Sequence, residues 1–163
     1  MNTRTLIKAA LAILMLGAAA FFFIRFLRED TGVSEKAFFY DLTEQKLFTA
    51  PRTAVPPIKG IKGAEEAAVR AVVISTTGDP KDKSSWKVAY LEKYSSELKK
   101  QIETAQATGN SPSMGRAQAQ AHRFVRKISD SQWFPMDSPQ GEAIVSDWAT
   151  PGPNGVTPVV CAP

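Results

Sequence analysis

The period of apolar and polar positions changes several times along this chain, and each change marks an element. From Ala9 to Ile24 there is no alternation: 16 residues pass without a charged or strongly polar side chain. Leu6 and Ile7 extend the run before Lys8, and Phe26 and Leu27 extend it beyond Arg25. With Lys8 and Arg25 snorkelling toward the headgroups, a segment of about 20 residues crosses a hydrocarbon layer of roughly 30 Å. A cleavable signal is the competing reading, with Arg4 and Lys8 as its basic start and Ala18-Ala19-Ala20 as its small-residue site. Cleavage after Ala20 would leave a terminus beginning Phe21-Phe22-Phe23-Ile24, which water disfavours. A retained anchor over residues 1–30 is therefore expected, with a buried core helix as the remaining alternative. The flanking charges are nearly level, and a short tail before a long domain predicts N-terminus in and body out.

Beyond the anchor, "AFFYDLTEQKLFTAP" alternates with the period of a strand. Phe38, Tyr40 and Leu42 fall on one face, Phe39 and Asp41 on the other, and Leu47-Phe48-Thr49 returns after Thr43-Glu44-Gln45 as a hairpin. Pro51, Pro56 and Pro57 then predict an extended loop. The β-branched run Val69–Ser75 predicts a central strand, with a turn of helix before it at Ala64–Ala68.

From Ser84 the spacing of Trp86, Val88, Tyr90, Leu91, Tyr94, Leu98 and Ile102 fits a helix capped by Ser84 or Ser85. Ser95 or Ser96 divides that run and caps a second helix ending near Gly109. "TGNSPSMGRAQAQA" predicts a loop. "HRFVRKIS", the turn Asp130-Ser131 and "QWFPM" predict a second hairpin with Pro135 at an edge. Ser138 before Pro139 opens a helix that turns Ile144, Val145 and Trp148 inward, and "TPVVCAP" is a last short strand.

These elements predict an α+β body, residues 31–163, built as an antiparallel sheet with two or three helices packed on one face. A length of 163 residues suits one core plus an appendage. No internal repeat and no heptad run changes that picture.

Charge alters the picture less than its total suggests. Residues 1–30 hold Arg4, Lys8, Arg25 and Arg28 against Glu29 and Asp30, so of 20 basic and 16 acidic side chains the body keeps 16 and 14. That balance gives no electrostatic reason to expect a nucleic-acid partner. One cysteine, Cys161, excludes an internal disulfide and a cysteine-based zinc site, and one histidine, His122, excludes any site needing two imidazoles. No metal and no cofactor is expected.

Cys161 lacks a local base or electropositive neighbour, so a small core residue is the expected role; His122 opens a strand and is expected to be solvated. Glu65-Glu66 and the pair Asp79 and Asp82 lie in turn sequences, without the burial that separates the pKa values of a general acid and base. No P-loop, GxGxxG, GxSxG or HExxH occurs. The aromatic residues are the better lead. Phe39, Tyr40, Phe48, Trp133 and Phe134, with Phe38, exceed what one face of a small sheet buries, and those left exposed predict contact with a protein partner.

The segments "AFFYDLTEQKLF", "AVPPI", "WKVAYLEKYSSELK", "WFPMDSPQGEAIV" and "GVTPVVCAP" together resemble small single-pass bacterial proteins with exported domains of no assigned activity. The resemblance spans nearly the whole chain, implies a bacterial envelope protein and carries no catalytic residue. Type IV pilin-like subunits also join an apolar helix to an α+β head. Their leader glycine and early glutamate have no counterpart here: Gly17 lies in mid-run and no glutamate precedes Glu29.

The function expected is a binding or structural component, anchored in an inner membrane through lipid contact of its N-terminal helix, with its head outside the cytoplasm. A tethered hydrolase using Cys161 or His122 is the rival, and a pilin-like subunit the third possibility.

Overall fold

The computed structural model describes residues 15–24 and 34–163. The chain divides into two units, Met1–Val33 and Ser34–Pro163. In the first, residues 15–24 are helical and Phe21, Phe22 and Phe23 are each more than 60 % exposed. The remainder of the expected anchor, 1–14 and 25–30, lies outside the described residues. Among the described residues no helix is long and apolar enough to cross a membrane.

The second unit is α+β, with seven antiparallel strands: β1 Lys36–Asp41, β2 Lys46–Pro51, β3 Ala68–Ser75, β4 Trp86–Tyr94, β5 Arg123–Arg126, β6 Phe134–Pro135 and β7 Val159–Val160. Six run in the order β2-β1-β3-β4-β5-β6, and β7 pairs with β3 beyond the end of β1. Its helices are α1 Ser96–Thr108, α2 Arg116–Ala121 and α3 Pro139–Asp147.

The first hairpin forms as its alternation predicts, with Phe39 opposite Phe48 and Tyr40 opposite Leu47. Pro51 does not end the ladder; it pairs with Lys36. An edge strand tolerates a residue without N–H, because only one side of the strand is bonded. The turn of helix expected at 64–68 is absent. Glu66 there has a left-handed φ of 52°, and Ala68 already bonds across to Ile58.

The largest departure is β4. Residues 86–94, expected to be helical, form a nine-residue strand between β3 and β5. Trp86, Val88 and Leu91 take one face and Tyr90 and Glu92 the other, because a register shift opposite Val72 and Val73 leaves Ala89 as an extra residue that interrupts the alternation. Ser84 and Ser85 cap no helix; they belong to a short 3-10 turn, Lys83–Ser85, which Asp82 caps by accepting from Ser84 N.

The helix after Ser95 does form. The Ser95 hydroxyl accepts from Leu98 N at 3.2 Å, and Gly109 closes the helix in the left-handed conformation. The expected loop 108–121 gives way to α2 in its second half. Ser138 and Pro139 open α3 as expected.

The registers place the paired strand side chains on two faces. Phe38, Val69, Ala71, Val73, Leu91 and Cys161 form one buried cluster, flanked by Tyr40, Leu42, Trp86, Val88 and Trp133. No helical side chain belongs to it. On the other face Tyr90 and Val125 pack with Ile144 of α3, next to Phe134, Val145 and Trp148. The loop after β2 lies on that same face, where Arg70 Nη2 donates to the carbonyls of Arg52 at 2.8 Å and Ala54 at 3.1 Å. Helix α1 holds the loop through Lys99 Nζ to Pro57 O at 2.6 Å and Gln106 Nε2 to Thr53 O at 3.0 Å.

Candidate functional site

The five aromatic residues expected at a partner surface separate by face. Phe39 is wholly buried, between Phe48 at a ring separation of 6.1 Å and the Arg70 guanidinium at 5.7 Å. It has no surface to offer a partner, because it sits on an inner strand beneath the post-β2 loop that Arg70 pins. Phe48 and Phe134 are half-buried on the same face, and Phe134 belongs to the α3 core. Tyr40 and Trp133 are half-buried on the helix-free face.

Trp133 precedes the β5–β6 pairing and packs its ring against the Leu91 cluster. Lys93 Nζ stands 4.7 Å from the ring centroid and the Arg126 guanidinium carbon 5.0 Å from it. Both distances lie within cation–π range. Pairing of Leu91 with Arg126 and of Lys93 with Phe124 puts both cations on the helix-free face. At the other end of this face Trp86 meets Phe38 edge-on at 5.4 Å, carries Lys83 Nζ at 5.6 Å and donates its indole N–H to Pro80 O at 3.2 Å.

Two clefts adjoin Trp133 and its cations. One of about 310 Å³ is lined by Lys93, Phe124 and Trp133 with Pro57, Glu66 and Ser95 among its other walls. The second, about 470 Å³, lies between Tyr40 and Leu42 on one side and Arg126 with the β5–β6 loop, Ile128 to Ser131, on the other. Arg126 Nη1 donates to Asp130 O and so ties that loop down.

Cys161 and His122 have separate partners. Cys161 is buried, burial pushes its thiol pKa up, and its Sγ lies 3.8 Å from Val159 O. A buried thiol held in its neutral form is a poor nucleophile. His122 instead shares a 2.9 Å hydrogen bond between its Nδ1 and the Ser95 hydroxyl, at the wall of the smaller cleft. That pairing was invisible in the sequence, because the two residues lie 27 positions apart and meet only where β4 and β5 run side by side. The same Ser95 oxygen caps α1.

The acidic residues of the turns also have structural partners. Asp82 binds Ser84 and Thr77, while Glu65 and Glu66 pair with Lys59 at 2.8 Å and Lys99 at 3.2 Å. Among the described residues no group of three or more His, Cys, Asp or Glu is placed to hold a metal ion. Burial raises the pKa of Tyr94 and of Tyr90, and Glu92 adds to both.

The arrangement presents two cations and an indole between two clefts, on the sheet face away from α1, α2 and α3 of the same unit. No family model, no curated protein and no solved structure matches this chain.

Proposed function

We propose that this chain is a membrane-anchored, protein-binding component of a bacterial envelope. In this reading residues 1–30 are a retained single-pass helix in the inner membrane, and residues 31–163 are a head outside the cytoplasm. The observation that carries the binding role is the half-buried Trp133, flanked by Lys93 and Arg126 on the helix-free face. Aromatic and arginine side chains supply most of the energetic anchors at protein interfaces. Support for the tether comes from the uninterrupted apolar sequence Ala9–Ile24 and from the exposed phenylalanines of the helical stretch 15–24. Anchoring raises the effective concentration at which a partner in the same membrane meets the head, so a weak contact suffices.

The test is a photo-crosslinking residue placed at Ile128, which is 45 % exposed beside the larger cleft, in intact bacterial cells. A discrete protein adduct is expected, lost on Trp133→Ala, from a chain that stays in membranes through alkaline carbonate. No adduct, or release of the full-length chain into the aqueous fraction, overturns the reading.

One contact favours a second reading, a tethered hydrolase. Ser95 and His122 are hydrogen-bonded beside a cleft, as a hydroxyl nucleophile and its base would be. Labelling by a fluorophosphonate probe that both Ser95→Ala and His122→Ala abolish would establish it. The binding reading expects no label.

A further inference from the structure

Charge is distributed unequally over the two faces of the sheet. Pairing puts Asp41, Lys46, Arg70, Lys87, Glu92 and Arg123 on the helix-bearing face, where both carboxylates are satisfied: Asp41 by three backbone N–H groups, Glu92 by Arg123. On the helix-free face the charged strand residues are Lys36, Lys93 and Arg126, all cations. Among the described residues neither Lys93 nor Arg126 has a carboxylate within ion-pair reach.

The acids in the cleft walls are already engaged. Glu66, in the wall of the smaller cleft, is held by Lys99, and Asp130, beside the larger one, accepts the Ser129 hydroxyl at 3.0 Å. Arg126 Nε is buried with no acceptor among the described residues. Two uncompensated cations against one indole, with a cleft to each side, form a surface complementary to negative charge.

We propose that Lys93, Trp133 and Arg126 recognise an extended acidic segment of the protein partner. Its carboxylates neutralise the two cations and its alternate apolar side chains enter the two clefts. The inference rests on the reading of the head as a protein-binding module and names the chemistry of what it binds. A nucleic acid fits less well, because the site offers two cations rather than a basic stripe and the body carries 16 basic against 14 acidic side chains. A lipid surface fits less well too, because the Trp133 ring is packed down onto the Leu91 cluster instead of projecting for insertion.

The test uses the full chain in uncharged detergent micelles and a fluorescein-labelled peptide of alternating glutamate and leucine, followed by anisotropy. Binding is expected to weaken with added salt, and to fall about tenfold or more on Lys93→Glu and by less on Lys93→Gln. Lys100→Glu, an equal charge change on an exposed face of α1, is expected to leave it unchanged. Circular dichroism reports whether each variant keeps its fold, and Lys93→Gln supplies the comparison where the reversal does not.

The proposal is overturned by no binding of the peptide, by equal losses on Lys93→Glu and Lys100→Glu, or by equal affinity for a single-stranded oligodeoxynucleotide. Equal binding of vesicles rich in phosphatidylserine overturns it as well. Should the Ile128 adduct form in cells while the peptide fails, the acidic chemistry falls alone; absence of any adduct removes the binding reading beneath it.

Discussion

Arg123 sets two nitrogen atoms on one oxygen of Glu92, Nε at 2.8 Å and Nη2 at 2.7 Å, across the β4–β5 ladder. Glu92 is 4 % exposed, and its neighbour across the other ladder is Arg70. A carboxylate so buried depends on its partner, because water cannot take the partner's place. Arg123→Met is expected to lower stability by about 2 to 3 kcal/mol, less than for a fully buried pair because part of the guanidinium stays in water. Replacing Glu92 and Arg123 together by methionine should recover most of the loss. Urea titration of the single and double variants checks both.

Asp41 anchors the turn after β1. Its Oδ1 accepts from Thr43 N at 2.9 Å and Glu44 N at 3.0 Å, and its Oδ2 accepts from Ile61 N at 2.7 Å. The Glu44 amide is the largest influence on its pKa; with the Ile61 and Thr43 amides and Lys62 it outweighs burial and holds the carboxyl below its ordinary value of 3.8. A depressed folded-state pKa contributes stability that is complete above the unfolded-state value and is lost as pH falls through the folded-state value. Thermal melting is therefore expected to weaken on acidification below about pH 4. Asp41→Asn should be less stable than the parent at neutral pH and lose less below that point. Gly60→Ala is expected to act on the same contact, since a Cβ there would come within 2.6 Å of Asp41 Oδ2.

Gly141 lies in the first turn of α3 against the backbone of β6, and a Cβ at that position would collide with the Pro135 carbonyl. Backbone cannot yield as a flexible side-chain end does. Gly141→Ala is expected to cost about 1 to 3 kcal/mol or more despite the better helix propensity of alanine. Gly115, at the start of α2, has open space around its missing Cβ and an ordinary φ of −62°. Gly115→Ala should change stability by less than about 0.5 kcal/mol. Melting of the two variants side by side separates close approach from loss of a glycine as such.

Cys161 bonds through its backbone N–H to Val73 O at 2.8 Å and buries its thiol in the Leu91 cluster. Burial raises the thiol pKa, so the thiolate is scarce near neutral pH as well as inaccessible. The native chain is expected to resist iodoacetamide and to take up one label on unfolding in urea, read by intact mass. Rapid alkylation of the folded protein would contradict this burial.

How much of the fold was legible depended on whether a local signal was unambiguous. The first hairpin was legible because Phe38, Tyr40 and Leu42 alternate strictly with Phe39 and Asp41. The α1 and α3 starts were legible because Ser95, and Ser138 before Pro139, have a specific capping chemistry. Residues 86–94 were not, since Trp86, Val88, Tyr90, Leu91 and Tyr94 recur at helical spacing, while the strand alternation is broken by a register shift between Val88 and Tyr90. The candidate site was half legible: Trp133 and Tyr40 lie on the helix-free face, Phe39 is internal, and Ser95 appeared in the sequence only as a cap.

The sequence by itself determined the long apolar run, both hairpins, the central strand, two helix starts and the absence of a disulfide within these residues. Each follows from side-chain period, turn chemistry or composition within a short window. The tertiary structure decided that β4 is a strand, because β3 and β5 on either side satisfy its backbone groups, and that Phe39 lies beneath a loop pinned by Arg70. It also decided that both strand carboxylates, Asp41 and Glu92, lie on one face of the sheet and Lys36, Lys93 and Arg126 on the other. Pairing register between distant segments sets those outcomes, and no local window contains it.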